Sequence, residues 1–233
     1  MVMNAPQPPE GACLIPINLE DATEGKTLLD QRKLCGWNFD KIPSWKESAA
    51  RGERTMFWIT LPCSDLTIGV APLQRNESVI PVGHVSLDKV DSPEKDILAD
   101  TTLAKADGSL LTITSLFVLP QFSAQKLGGF AMDTCERLAR EEPYGSPECE
   151  AVTLTTLSSR YLRDGVEGID GKGRWAMLGQ DMPVRDNMPW YARRGYVAYK
   201  EQIRYSSLKP DGSTIYWYAV FMRKELGNGE TQP

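Results

Sequence analysis

The part of this sequence best suited to chemistry runs from Leu116 to Asp133, reading LFVLP and then QFSAQKLGGFAMD. It has the pattern of a strand that stops at a proline, a loop of small and polar residues, and the first turns of a helix. Such a loop turns successive backbone N–H groups toward one point, and the positive end of the helix dipole adds to them. The arrangement can cradle an anion such as a phosphate. A plain strand-turn-helix that packs a sheet and binds nothing has the same pattern, so the segment alone leaves both readings open. Elsewhere, scarcity narrows the chemistry. The chain has one histidine, His84 in VIPVGHVS, and a zinc site or a Ser-His-Asp triad would have to centre on it. Its ordinary pKa suits a general base, but a lone histidine in an apolar strand is more often structural. Five cysteines (Cys13, Cys35, Cys63, Cys135, Cys149) lie far apart, odd in number and without a CxxC pair. They read as free thiols in a reducing compartment. No metal is expected.

The elements that position these residues follow from periodicity. Cys13 to Ile17 is a short strand that Pro16 confines to a sheet edge. Asn18 is expected to cap a helix with Glu20 and Asp21 in its first turn, running to about Gly36. Ser44 and Glu47 have capping-box spacing and should open a second helix. Strands are expected at 55–61, 79–90 and 110–119, from their β-branched and aromatic content. After Pro120 the period becomes helical. Leu127, Ala131, Cys135, Leu138 and Ala139 form an apolar stripe, with Asp133, Glu136, Arg137 and Arg140 opposite. A strand follows at 151–157, then an aperiodic stretch at 158–186 containing Gly165, Gly168, Gly171, Gly173 and Gly179. Its length suggests a substrate-side lid anchored by Trp175. A short helix at 187–194 ends at Gly195, and a hairpin of 196–208 with 213–226 closes the chain. The strand-helix-strand unit at 110–157 requires parallel pairing, whereas the flanking hairpins are antiparallel. The fold class is α/β, a mixed, centrally parallel β-sheet flanked by helices on both faces.

This order of elements, with the Val118-x-Pro120 strand end and the loop-helix after it, resembles the acyl-CoA site of the GNAT superfamily of N-acyltransferases. That family binds the CoA pyrophosphate with a loop reading Arg/Gln-x-x-Gly-x-Gly/Ala. Counted without gaps, the loop here is Ser123-Ala124-Gln125-Lys126-Leu127-Gly128, which keeps Gly128 but has Ser123 and Lys126 where the family has Arg/Gln and glycine. The resemblance implies that Leu116, Phe117 and Val118 hold the pantetheine arm. It implies likewise that Ala124, Gln125, Lys126, Leu127, Gly128 and Gly129 hold the pyrophosphate of acetyl-CoA. A second match is Tyr191, four residues before Gly195-Tyr196, where the family places a tyrosine. There a phenol protonates the departing thiolate as general acid. The family's asparagine seven residues before that tyrosine is Val184 here, with Asn187 nearby. The glutamate that many relatives use as general base is missing from both strands of the parallel pair. Asp181, Asp186 and His84 are weak substitutes. Trp37, Phe39 and Trp45 fall where the family walls its acceptor site, and with Trp175 they suit an apolar or cationic substrate or ordinary core packing.

Composition sets the outer bounds. With 233 residues, 41% apolar and 24% charged, the chain is expected to form one soluble domain over 13–226, with tails at 1–12 and 227–233. A net charge of −5 argues against nucleic acid as partner. The N-terminus lacks a signal-peptide pattern, and no apolar run is long enough to span a membrane, which points to the cytoplasm. The expected function is transfer of an acetyl group from acetyl-CoA to a small-molecule primary amine, by a monomer or homodimer. The alternative is a degenerate protein of the same fold that binds a small molecule or partner without acyl transfer.

Overall fold

The computed structural model describes residues 9–63, 70–93, 97–163 and 171–227. Seven strands form one sheet: β1 (Cys13–Pro16), β2 (Arg54–Pro62), β3 (Val79–Asp88), β4 (Leu110–Val118), β5 (Ala151–Leu157), β6 (Val197–Leu208) and β7 (Thr214–Glu225). Their spatial order is β1-β2-β3-β4-β5-β7-β6. Every neighbouring pair is antiparallel except β4 with β5. The helices are α1 (Ala22–Cys35), α2 (Ile42–Ala50), α3 (Leu127–Leu138), α4 (Gly171–Ala176) and α5 (Met188–Arg193). No helix among the described residues is long and apolar enough to cross a membrane.

Strand alternation gives the sheet two unlike faces. On one, Phe57 and Ile59 of β2, Val85 and Leu87 of β3, Leu111 and Ile113 of β4, and Val152 and Leu154 of β5 pack under the α3 stripe. All five stripe residues are buried, as their spacing requires. On the other face, α1 and α2 cover β2 through Leu28 and Trp45 against Met56 and Trp58. Farther along that face the floor is polar and still buried, with Arg54, Ser86, Asp88, Thr112 and Thr153. Four of these stand in one cross-strand row, Arg54 beside Asp88, Asp88 beside Thr112, and Thr112 beside Thr153.

Local caps differ from expectation. Asp21, not Asn18, caps α1 by accepting from the Thr23 and Glu24 N–H groups; Asn18 instead accepts from the Glu20 N–H, so the helix begins one turn later. Ser44 and Glu47 form no capping box. Pro43, suited to a helix's first turn, carries the start of α2 back to Ile42, and Ser44 lies inside and donates to the Lys41 carbonyl. Glu136 is buried rather than solvent-facing, because the Tyr196 hydroxyl (3.0 Å) and Lys224 (2.5 Å) satisfy it. Within 158–186 the described residues hold α4 and a packed cluster in which Trp175 meets Tyr161, Ile215 and Trp217. Gly165 and Gly168 lie outside the described residues. Gly171 serves close packing rather than hinge motion, since a Cβ there would stand 3.0 Å from the Tyr161 carbonyl oxygen.

Candidate active site

The site begins where the parallel pair fails. β4 and β5 pair over three positions only, Leu110 with Ala151, Leu111 with Val152 and Thr112 with Thr153. Beyond them the strands diverge, and the edge of β4 that faces β5 has no strand partner. A bulge in β4 contributes. Between the His84–Phe117 and Ser86–Thr114 pairs β4 holds one residue more than β3, and Ser115 takes a left-handed φ of 55°. The bulge also presses the Phe117 carbonyl onto β3, where only Gly83 fits, because a Cβ would lie 2.3 Å from that oxygen.

The loop from Pro120 continues from the unpaired end of β4. A 3₁₀ turn over Pro120–Phe122 uses the Ser123 and Gln125 N–H groups internally, through the Pro120 and Phe122 carbonyls. Lys126 then adopts φ 59°, the left-handed conformation that favours glycine, at the position the ungapped register aligns with the family's first glycine. No side chain caps α3, and the first carbonyl used is that of Lys126, by Phe130 (3.1 Å). The N–H groups of Leu127, Gly128 and Gly129 therefore point forward without an acceptor among the described residues. α5 crosses this helix start. Trp190 lies 3.8 Å from a Cβ built on Gly128, and Arg194 donates to the Gly129 carbonyl (3.1 Å) and pairs with Asp133.

Tyr191 stands half-buried on α5, between Trp190 and Tyr196, and its neighbourhood includes Tyr205. Burial pushes its phenol well above the ordinary value of 10, and the second phenol adds to the shift. Tyr205 in turn donates to the Thr155 hydroxyl (2.8 Å) on the diverging part of β5.

Tyr191, Tyr205, Thr155 and Leu116 line a cleft of about 590 Å³ on the polar face of the sheet. Trp37, Trp45 and Trp175 form its aromatic walls; Phe39, half-exposed, is not among them. Trp37 meets Trp175 edge-on at 6.3 Å, and Trp175 stacks against Trp217 at 4.7 Å. Asn187 lines the cleft, while Val184, in the family's asparagine position, is fully exposed.

The candidate bases are held elsewhere. His84 is wholly buried, accepted by Gln31 at Nδ1 (2.9 Å) and facing Arg32 at Nε2 (3.4 Å). Gln31 donates its amide to the Pro81 carbonyl, so its oxygen takes the His84 Nδ1 proton and Nε2 is the free lone pair. Burial, and beyond it the charge of Arg32, keeps His84 neutral. It does not line the cleft. Asp186 turns to the Met188 N–H and Arg163, and Asp181 is exposed away from the lining. Sequence reading missed Asp88 and Asp91, which do line the cleft. Asp88 is gripped by Arg54 through two bonds (3.0 and 2.6 Å), by Thr114 (2.8 Å) and by Ser86; Asp91 pairs with Arg204 and accepts from the Asp100 N–H (2.8 Å). The signal for Asp88 in the sequence was a charged residue at the end of a strand, alternating toward the polar face; Asp91, beyond the strand, had none.

No protein-family model and no curated protein matches the chain. Solved structures do. The GphF GNAT-like decarboxylase in complex with isobutyryl-CoA is 15% identical and aligns over 92% of this chain and 100% of its own, with a TM-score of 0.54. The loading GNATL domain of CurA from Lyngbya majuscula, also 15% identical, aligns over 92% and 97% with a TM-score of 0.52. An aminoglycoside 6'-N-acetyltransferase complexed with coenzyme A is 13% identical over 94% and 99%, at 0.49. The first two show that this chain has the GNAT fold. At such identities the likeness is one of fold.

Proposed function

We propose that the protein is an acyl-CoA-dependent N-acyltransferase, taking an acetyl group from acetyl-CoA to the amine of a small molecule. The observation that carries this reading is the gap between β4 and β5, with the uncapped start of α3 at one end and the Tyr191 phenol beside it. The N–H groups of Leu127, Gly128 and Gly129 suit the diphosphate of the donor, and the exposed Lys126 adds a positive charge. The unpaired edge of β4 around Leu116 to Val118 offers hydrogen bonds to the amides of an extended pantetheine arm. Acetyl-CoA supplies an acyl group already activated as a thioester.

The amine, in its neutral form, attacks the thioester carbonyl from the cleft. A C–N bond forms, the C–S bond breaks, and sulfur leaves with the electron pair. Tyr191 gives that sulfur its proton and recovers one from the amine nitrogen through solvent, so amide and free thiol are the products. Because its pKa is raised, Tyr191 stays protonated throughout the neutral range and keeps a proton to give.

Replacing Tyr191 by Phe should lower kcat by roughly 10²–10⁴-fold while acetyl-CoA affinity stays nearly intact, as expected for general acid help. Amine-dependent release of free thiol is the assay. Wild-type turnover in the Phe variant would leave Tyr191 as packing only. Thiol release from no amine, with acetyl-CoA still bound, would mark the protein as a binder of the nucleotide rather than a transferase.

A further inference from the structure

The lining of the cleft carries a charge imbalance that its own residues do not settle. Three buried guanidiniums belong to it, Arg32 at 3% exposure and Arg54 and Arg204 at 7% each. Two buried carboxylates face them, Asp88 on Arg54 and Asp91 on Arg204. Arg32 has no carboxylate partner among the described residues. Its Nε (2.9 Å) and Nη2 donate to the Trp37 carbonyl, and Nη1 faces only the neutral His84. Arg32 and Arg54 both lie over the Trp45 ring, their guanidinium carbons 5.5 and 4.9 Å from its centroid. A π-face softens a buried cation but does not neutralise it.

Two donors are also unused. Arg54 Nη1 and Arg204 Nη1 are buried and meet no acceptor among the described residues. A buried N–H left without an acceptor costs free energy, and a charged one costs more. A surplus positive charge beside two guanidiniums that each keep an unused N–H makes this cleft a complement for an oxyanion. The imbalance is local, since the whole chain carries a net charge of −5.

We propose that the acceptor is an amine that also bears an oxyanion, a carboxylate or a phosphate, which this guanidinium lining holds while the amine faces the diverging strands. The inference rests on the transferase reading for the word acceptor, but the anion site itself stands on the lining alone. It replaces the sequence-based expectation of an apolar or cationic substrate. The aromatic walls then line the body of the molecule, and the guanidiniums read its charge.

The test uses the whole protein and a series matched in chain length: alkylamines, ω-amino carboxylates, ω-amino phosphates and α,ω-diamines. Each is titrated by calorimetry without acyl donor and then assayed for acetyl-CoA-dependent turnover. The expected result is affinity roughly tenfold or more higher for an anionic amine than for its alkylamine, with the diamine weakest. Carboxylate and phosphate members identify which oxyanion fits. In Arg32→Gln, which removes an uncompensated buried charge, the ratio of anionic-amine to alkylamine affinity should fall toward one. Anionic amines that bind and are not acetylated would sink the transferase reading and leave the anion site standing. Acetylation without anionic preference, binding of no anionic amine, or a preference for diamines would overturn the inference. So would turnover of alkylamines only with an acyl donor that itself carries a carboxylate, which would place the anion on the acyl group.

Discussion

His84 shows how one residue type can be legible as a candidate and still be excluded by its surroundings. Sequence offers it as the chain's only imidazole; the structure buries it between Gln31 and Arg32, off the cleft. Its folded pKa lies well below the ordinary 6.5. Above pH 6.5 neither the folded nor the unfolded form protonates it, so stability is flat. As pH falls below 6.5 only the unfolded chain binds the proton, and stability is lost, by up to about 1.4 kcal/mol per pH unit. Urea denaturation between pH 7 and 5 should show this slope in the wild type and a shallower one in His84→Gln. The pH dependence of turnover should be the same in both. A changed pH–rate profile in the variant would instead bring the imidazole into catalysis. Lys126 is the opposite case, a residue type that hides its role. A lysine does not announce a left-handed turn, yet it sits at φ 59° where glycine would be cheaper.

At the scale of elements, the sequence carried the strands and α3 almost to the residue, because alternation and the Leu127–Ala131–Cys135–Leu138 stripe are strong periodic signals. The splitting of β4 from β5 was not legible. It comes from a bulge at Ser115 and from strand divergence, neither of which leaves a compositional trace. The burial of the polar floor was not legible either. Thr112, Thr114, Thr153 and Thr155 alternate like residues of a solvated face, but Thr112, Thr114 and Thr155 line the cleft together with residues of α1 and α2, and Thr153 is buried and donates to the Leu103 carbonyl (2.6 Å). The 158–186 stretch looked like a lid because α4 is too short to show a period, whereas Trp175 ties its described part into a core. Its indole donates to the Tyr161 carbonyl (2.9 Å) and stacks on Trp217. Trp175→Ala should therefore destabilise the fold by about 3–5 kcal/mol, as for other buried aromatics. It should also raise KM for the amine, because the same ring forms a wall of the cleft. A denaturation midpoint within error of wild type would mean the stretch packs independently and restore the mobile-lid reading.

For the whole molecule, the question is whether folding and donor binding are coupled through the start of α3. A ligand that binds only the folded chain stabilises it by RT ln(1 + [L]/Kd), about 2.7 kcal/mol at one hundred times Kd. For a domain of this size that corresponds to a rise in Tm of roughly 5–10 °C. A rise alone would not place the ligand. Gly128→Glu separates the two effects by charge. α3 has no acidic residue in its first turn and no side-chain cap, so a carboxylate there meets the positive end of the helix dipole. Glutamate is also a better helix former than glycine, by up to about 1 kcal/mol. A Cβ at Gly128 stands in ordinary contact with Trp190, at 3.8 Å, so the substitution begins without a clash. The unliganded variant should therefore unfold no earlier than wild type. Yet the new carboxylate occupies the unpaired N–H groups and repels a diphosphate, so the rise in Tm with acetyl-CoA should shrink or vanish. An undiminished rise in the variant would put the donor away from Leu127 to Gly129 and remove the structural basis for acyl transfer in this cleft.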